Sequence, residues 1–62
     1  MYIIVRDSRD ITLTLDSKGG WQLSPRKQKL FHTKEQCKKW LRGHWLDPND
    51  TYRIVDLSTP TL

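Results

Sequence analysis

Residues 33–44, TKEQCKKWLRGH, form the stretch of this 62-residue chain whose apolar residues recur at helical spacing. Cys37, Trp40, Leu41 and His44 stand at i, i+3, i+4 and i+7, so they share one face, and that face is expected to point to a sheet. Thr33 and Gln36 have the spacing of a capping box, and Glu35 suits the positive end of the helix dipole. The helix is therefore expected to begin at about Lys34 and to end near Gly43.

One helix cannot cover its own apolar face, so the remaining segments must build the second layer. The opening MYIIVR is rich in β-branched and aromatic residues, and RDSRD after it is turn-like. Ile11, Leu13 and Leu15 alternate with Thr12 and Thr14, the period-two signature of a strand with one buried face. The DSKGG sequence predicts a chain reversal, because glycine takes positive φ at no steric cost. Trp21 and Leu23 alternate with Gln22 and Ser24 as a short third strand, which Pro25 must stop. Residues 26–30 read as a basic loop, Asp47 to Asp50 as a turn, and Tyr52 to Leu57 as a closing strand.

The expected fold is α+β, in the order β-β-β-α-β. A small, mostly antiparallel sheet of three to four strands carries one packed helix. It forms a single domain over residues 1–57, with 58–62 as a flexible C-terminal tail. A chain of this size hides only about 60% of the surface it exposes when unfolded. Trp21, Trp40 and Trp45 can each bury on the order of 200 Å², so a few of them are expected to replace a larger aliphatic core.

With Cys37 as the lone cysteine, no intramolecular disulfide can form, which points to a reducing, cytoplasmic setting. No apolar run approaches the roughly 20 residues that span a bilayer, and YIIV is too short for the apolar core of a signal peptide, so no membrane partner is expected.

Charge is the strongest functional signal. Residues 25–42, PRKQKLFHTKEQCKKWLR, hold seven of the eleven Lys and Arg residues against one acid, Glu35. That window carries +6 of a net charge of +4, leaving −2 for everything else. Lys34, Lys38 and Arg42 lie at i, i+4 and i+8 and form one stripe, while Lys39 points further round. Together with Arg26, Lys27 and Lys29 of the loop they make a candidate partner-binding surface. Lys and Arg are also good helix formers, so a plain solvated helix face is the competing explanation.

Catalysis and metal binding find little support. Asp7 and Asp10, and Asp47 and Asp50, flank turns, where aspartate is favoured for local hydrogen bonding alone, and neither His32 nor His44 has an evident orienting acid. Cys37 and His44 are about 10 Å apart along a helix axis at ~1.5 Å per residue, too far for one ion. The sequence lacks the paired spacings of structural zinc sites. No catalytic residue, metal or cofactor is assigned, and the chain is not expected to be an enzyme.

The N-terminal Y-hydrophobic strand, the GGW turn, KLFHTKEQCKKWL and the closing YRIVDL resemble a pattern seen in small phage and mobile-element accessory proteins. The helix, through Phe31, Thr33, Glu35, Trp40 and Leu41, is also similar to the ending of hybrid-binding domains of ribonuclease H type, although a closing strand after the helix departs from that family. The phage resemblance implies a protein acting stoichiometrically on a host or defence machine, often one that handles nucleic acid.

The leading expectation is thus a phage-type inhibitor or modulator that docks its basic loop and helix on an acidic face of a nucleic-acid-processing complex. Direct, weakly sequence-specific DNA or RNA binding through the same surface is the alternative. A structural homodimer, paired through sheet edges or Trp45, is the third.

Overall fold

The computed structural model describes residues 1–58 and forms one α+β unit; the expected tail at 58–62 lies, but for Ser58, outside the described residues. Five elements follow in the predicted order: β1 (Tyr2–Ser8), β2 (Ile11–Leu15), β3 (Trp21–Gln22), α1 (Lys34–Arg42) and β4 (Thr51–Asp56). The sheet runs β3-β2-β1-β4 and is antiparallel throughout. The first three strands make a meander, and β4 returns beside β1 on the far edge after α1 has crossed the sheet. That crossing lays the helix against β1.

Strand alternation assigns the two faces. Ile4 of β1, Leu15 of β2, Phe31 and Cys37 of α1 form the buried cluster, with Tyr2, Trp21, Trp40, Leu41 and Ile54 packed around it. Ile4, Leu15 and Cys37 are fully enclosed. Burying an aliphatic side chain of this size contributes about 1.5–3 kcal/mol, so three such positions carry much of so small a core. Ile3 and Val5 point to the opposite face and are also buried.

The alternation of β2 overstates how much of it is covered. Leu15 is enclosed, Leu13 is half-buried, and Ile11 is 50% exposed. The reason is position: Ile11 abuts the hairpin, opposite Ser8. That hairpin turns on Arg9 and Asp10, with Arg9 at a φ of 52°, the left-handed region that a two-residue hairpin loop requires. His44 also departs from expectation, since it lies past the helix end and is exposed rather than turned to the sheet. Its ring stacks on Trp40 at 3.8 Å between centroids, and its Nδ1 lies 2.7 Å from the Trp40 carbonyl oxygen.

The helix begins where its cap predicts. Thr33 Oγ1 accepts from the Gln36 amide at 3.2 Å, and Gln36 Oε1 accepts in return from the amides of Thr33 and His32. These bonds satisfy donors that a helix start otherwise leaves unpaired. Gly43 closes the helix in ordinary right-handed geometry, its amide reaching back to the carbonyls of Lys39 and Trp40.

Candidate functional site

The cationic window is built on an ordered backbone. Between β3 and α1 the chain has no regular secondary structure, yet it is tied down at three points. Ser17 N–H donates to the Lys27 carbonyl at 2.9 Å, Lys29 N–H donates to the Leu15 carbonyl at 3.0 Å, and Phe31 exchanges both backbone bonds with Tyr2. Isolated bridges pair Asp16 with Gln28 and Tyr2 with Phe31, so this segment takes up position beside the sheet where β2 ends. The buried Phe31 ring anchors it to the core.

Asp16 organises the neighbouring turn. Its carboxylate accepts from the amides of Lys18 and Gly20 at 2.9 and 2.8 Å and also from the Gln22 side chain. The Gly20 amide foremost, with those of Lys18 and Gly19 and the Gln22 amide group, holds its pKa below the ordinary carboxylate value despite burial. Gly19 takes a φ of 89° at the apex, a conformation that glycine adopts without strain. The turn and the segment at 24–27 enclose an open groove of about 560 Å³, lined by Lys18, Arg26 and Lys27 as well as Asp16 and Gln22. Because the Asp16 carboxylate is occupied by its own turn, the groove presents mainly cations. Lys18 belongs to this surface and escaped the sequence reading, where it was only a turn residue. Its membership depends on the contacts of Ser17 and Asp16 with Lys27 and Gln28, which local spacing does not reveal.

The predicted residues separate into distinct roles. Arg26 and Lys27 stand exposed at the groove, and Lys34, Lys38, Lys39 and Arg42 are exposed on the helix. Lys29 is half-buried, with its Nζ 5.7 Å from the Phe31 ring centroid, so part of its charge is committed to that ring. At about 100° per residue, Lys34, Lys38 and Arg42 run as a stripe flanking Leu41, while Lys39 lies nearly opposite Cys37 and faces away from the sheet. Among the described residues, Lys38 alone of the seven has a carboxylate partner, Glu35 at 3.6 Å, and both side chains are largely exposed. An exposed pair of that length contributes little.

Two of the four cations outside the window, Arg6 and Arg53, behave differently. Arg6 meets Asp50 through Nε at 2.6 Å and through its terminal nitrogen at 2.5 Å, and approaches Asp47 at 3.7 Å. The Asp50 side chain is only 5% exposed. The Arg6 guanidinium lies 5.9 and 5.7 Å from the centroids of Trp21 and Tyr52, and Trp21 in turn meets Trp40 edge-on at 5.9 Å. Arg53 binds Asp7 at 2.6 and 3.2 Å. The Asp50 hydrogen bond raises the pKa of Arg6, and the Arg53 hydrogen bond lowers that of Asp7. For Asp50, desolvation pulls upward, but hydrogen bonds from Ser8 and Arg6 and the charges of Arg6 and Arg9 together leave the group below the ordinary carboxylate value.

Cys37 is enclosed, and desolvation raises its thiol pKa, so it is a core residue with little thiolate character. Among the described residues no group of three or more His, Cys, Asp or Glu side chains is placed to hold a metal ion, and no helix is long and apolar enough to cross a membrane.

The fold and surface thus define a small α+β domain with cations displayed on one sheet end and one helix. Comparison with family models, curated proteins and solved structures finds no match. Function must be argued from the residues and their geometry.

Proposed function

We propose that this chain is a small, non-enzymatic interaction protein that binds stoichiometrically to an acidic face of a nucleic-acid-processing complex, in the manner of a phage-type inhibitor or modulator. The surface assigned to the partner is Arg26, Lys27, Lys34, Lys38, Lys39 and Arg42, with Lys29 and Lys18 at its border. The observation that carries the proposal is the segregation of charge. Arg6 and Arg53 are each taken up by internal carboxylates, whereas the window cations face solvent with one weak pair among the described residues. Lys34 adds to this support, because a cation in the first turn opposes the helix dipole and costs stability where an acid would add it. An intracellular, cytoplasmic setting accords with the enclosed lone thiol.

Changing Lys27, Lys38 and Arg42 together to Glu tests the proposal. The variant is expected to keep its circular dichroism spectrum and lose the partner in a pull-down from host lysate, with wild-type capture surviving nuclease treatment. Unchanged capture by the variant would refute the assignment.

A second reading, direct and weakly sequence-specific nucleic-acid binding, is favoured by Trp45. That residue is 79% exposed, three residues after Arg42, and offers the stacking platform that single-strand binding needs beside phosphate contacts. This reading predicts a mobility shift with DNA or RNA that weakens steeply with salt. The absence of any shift at low salt removes it.

A further inference from the structure

The sheet has two edges, and they are managed differently. β3 is two residues long and gives way to a segment containing Pro25, so it offers little for another strand to pair with. β4 runs six residues, pairs with β1 without a break from Tyr2 to Asp7, and contains no proline, lysine or bulge. Its interior cation, Arg53, is bound to Asp7. Among the described residues, that edge thus shows neither proline, lysine nor bulge, three of the devices that keep sheets from pairing with one another.

The ladder phase specifies which groups face outward. Leu57 N–H donates to the Met1 carbonyl, which makes Met1 and Leu57 a hydrogen-bonded pair in the β1–β4 register. Antiparallel pairs alternate, so Ile3 with Val55 and Val5 with Arg53 are bonded pairs too. Tyr52 and Ile54 must then turn their N–H and C=O groups away from β1. Tyr2 confirms the phase, since it exchanges its backbone bonds with Phe31 on the other side of β1.

From this geometry we infer that β4 pairs antiparallel with β4 of a second copy, joining two sheets of four strands into one of eight across a two-fold axis at Ile54. Charge and overlap select the register. Centring on Arg53 would place two guanidinium groups opposite each other, and centring on Asp56 would oppose two carboxylates. Centring on Ile54 sets Ile54 against the partner's Ile54, Tyr52 against the partner's Asp56 and Arg53 against the partner's Val55, with nearly the whole strand overlapping. Charge beside the joint is largely taken up within each copy, because Asp47 and Asp50 are paired with Arg6 and Arg53 is bound to Asp7. The groove cations Lys18, Arg26 and Lys27 lie at the other sheet edge, so their repulsion does not oppose the joint. The inference is independent of what the cationic surface binds.

Sedimentation velocity over a concentration series, together with amide hydrogen exchange, tests it. The expected result is a doubling of mass with rising concentration, accompanied by growing protection of the Tyr52 and Ile54 amides. Chemical synthesis with an N-methylated Ile54 removes one outward donor while leaving every side chain in place, and is expected to abolish the dimer while the circular dichroism spectrum is retained. Should that variant not fold, exchange in the unmodified chain decides the matter alone. A monomer at every concentration overturns the inference, whether those amides exchange quickly or are protected by the chain itself. So does a dimer that survives the methylation in a folded variant.

Discussion

The charges around Arg6 and those of residues 26–42 are made of the same residue types and do opposite things. Arg6 is held between Trp21 and Tyr52 with Asp50 almost completely enclosed, so its charge is spent on joining the β4 approach to the central strand. Arg26, Lys27, Lys34, Lys39 and Arg42 stand in solvent, with no carboxylate among the described residues within ion-pair distance. The first region uses its cation for folding by pairing it, whereas the second leaves its cations to solvent. Among the described residues that set has no carboxylate partner and costs helix stability at Lys34 and self-repulsion along the stripe, a cost that the proposed acidic partner would offset.

Four substitutions press on that contrast. Phe31→Ala should be the most damaging, at about 3–5 kcal/mol, because this buried ring ties the cationic segment to Tyr2 and the core. Chemical denaturation checks it, and a loss below 1 kcal/mol would mean that the window is not anchored through the core. Asp50→Ala should follow, lowering the melting temperature by leaving Arg6 among aromatic rings without its main acceptor, and it should leave partner binding intact.

Acid titration extends the Asp50 test. The carboxylates of Asp7, Asp16 and Asp50 all have depressed folded-state pKa values. Their contribution is therefore fully present above the unfolded carboxylate value, about 3.9, and is lost as pH falls through the lower folded values. Thermal melts should be nearly level from neutral pH to about 5 and then drop. Asp50→Ala should drop less steeply than wild type, and an identical acid limb in both would contradict the pairing.

Thr33→Ala removes the acceptor of the capping box and should cost about 1 kcal/mol, visible as reduced helicity and a lower unfolding midpoint. Lys34→Glu is the smallest change and has the opposite sign. It should stabilise the helix by about 0.3–1 kcal/mol while weakening partner binding. A variant that gains stability and keeps full binding would place Lys34 outside the interface.

What could be read from the sequence was what depends on neighbours along the chain. The cap at Thr33 and Gln36, the helical face through Cys37, Trp40 and Leu41, and the chain reversal at Gly19 are set within a few residues. The pairing of Arg6 with Asp50 joins residues 44 positions apart, and that of Arg53 with Asp7 spans 46, so both required the β1–β4 register to be known first. Sequence spacing read Asp47 and Asp50 as turn residues, which they are, since Asp50 N–H donates to the Asp47 carbonyl. It had no means of showing that Asp50 also closes on Arg6. The window cations were legible as a charge run, but Lys18 entered only through the groove, and Lys29 proved half-buried over Phe31.

Backbone chemical-shift mapping with a poly-glutamate peptide at low salt tests most directly whether the two charged regions differ in availability. The account predicts perturbations gathered at Arg26, Lys27, Lys34, Lys38, Lys39 and Arg42, with Arg6 and Arg53 silent. Shifts centred on Arg6 and Arg53, or the same weak response at every cation, would contradict it.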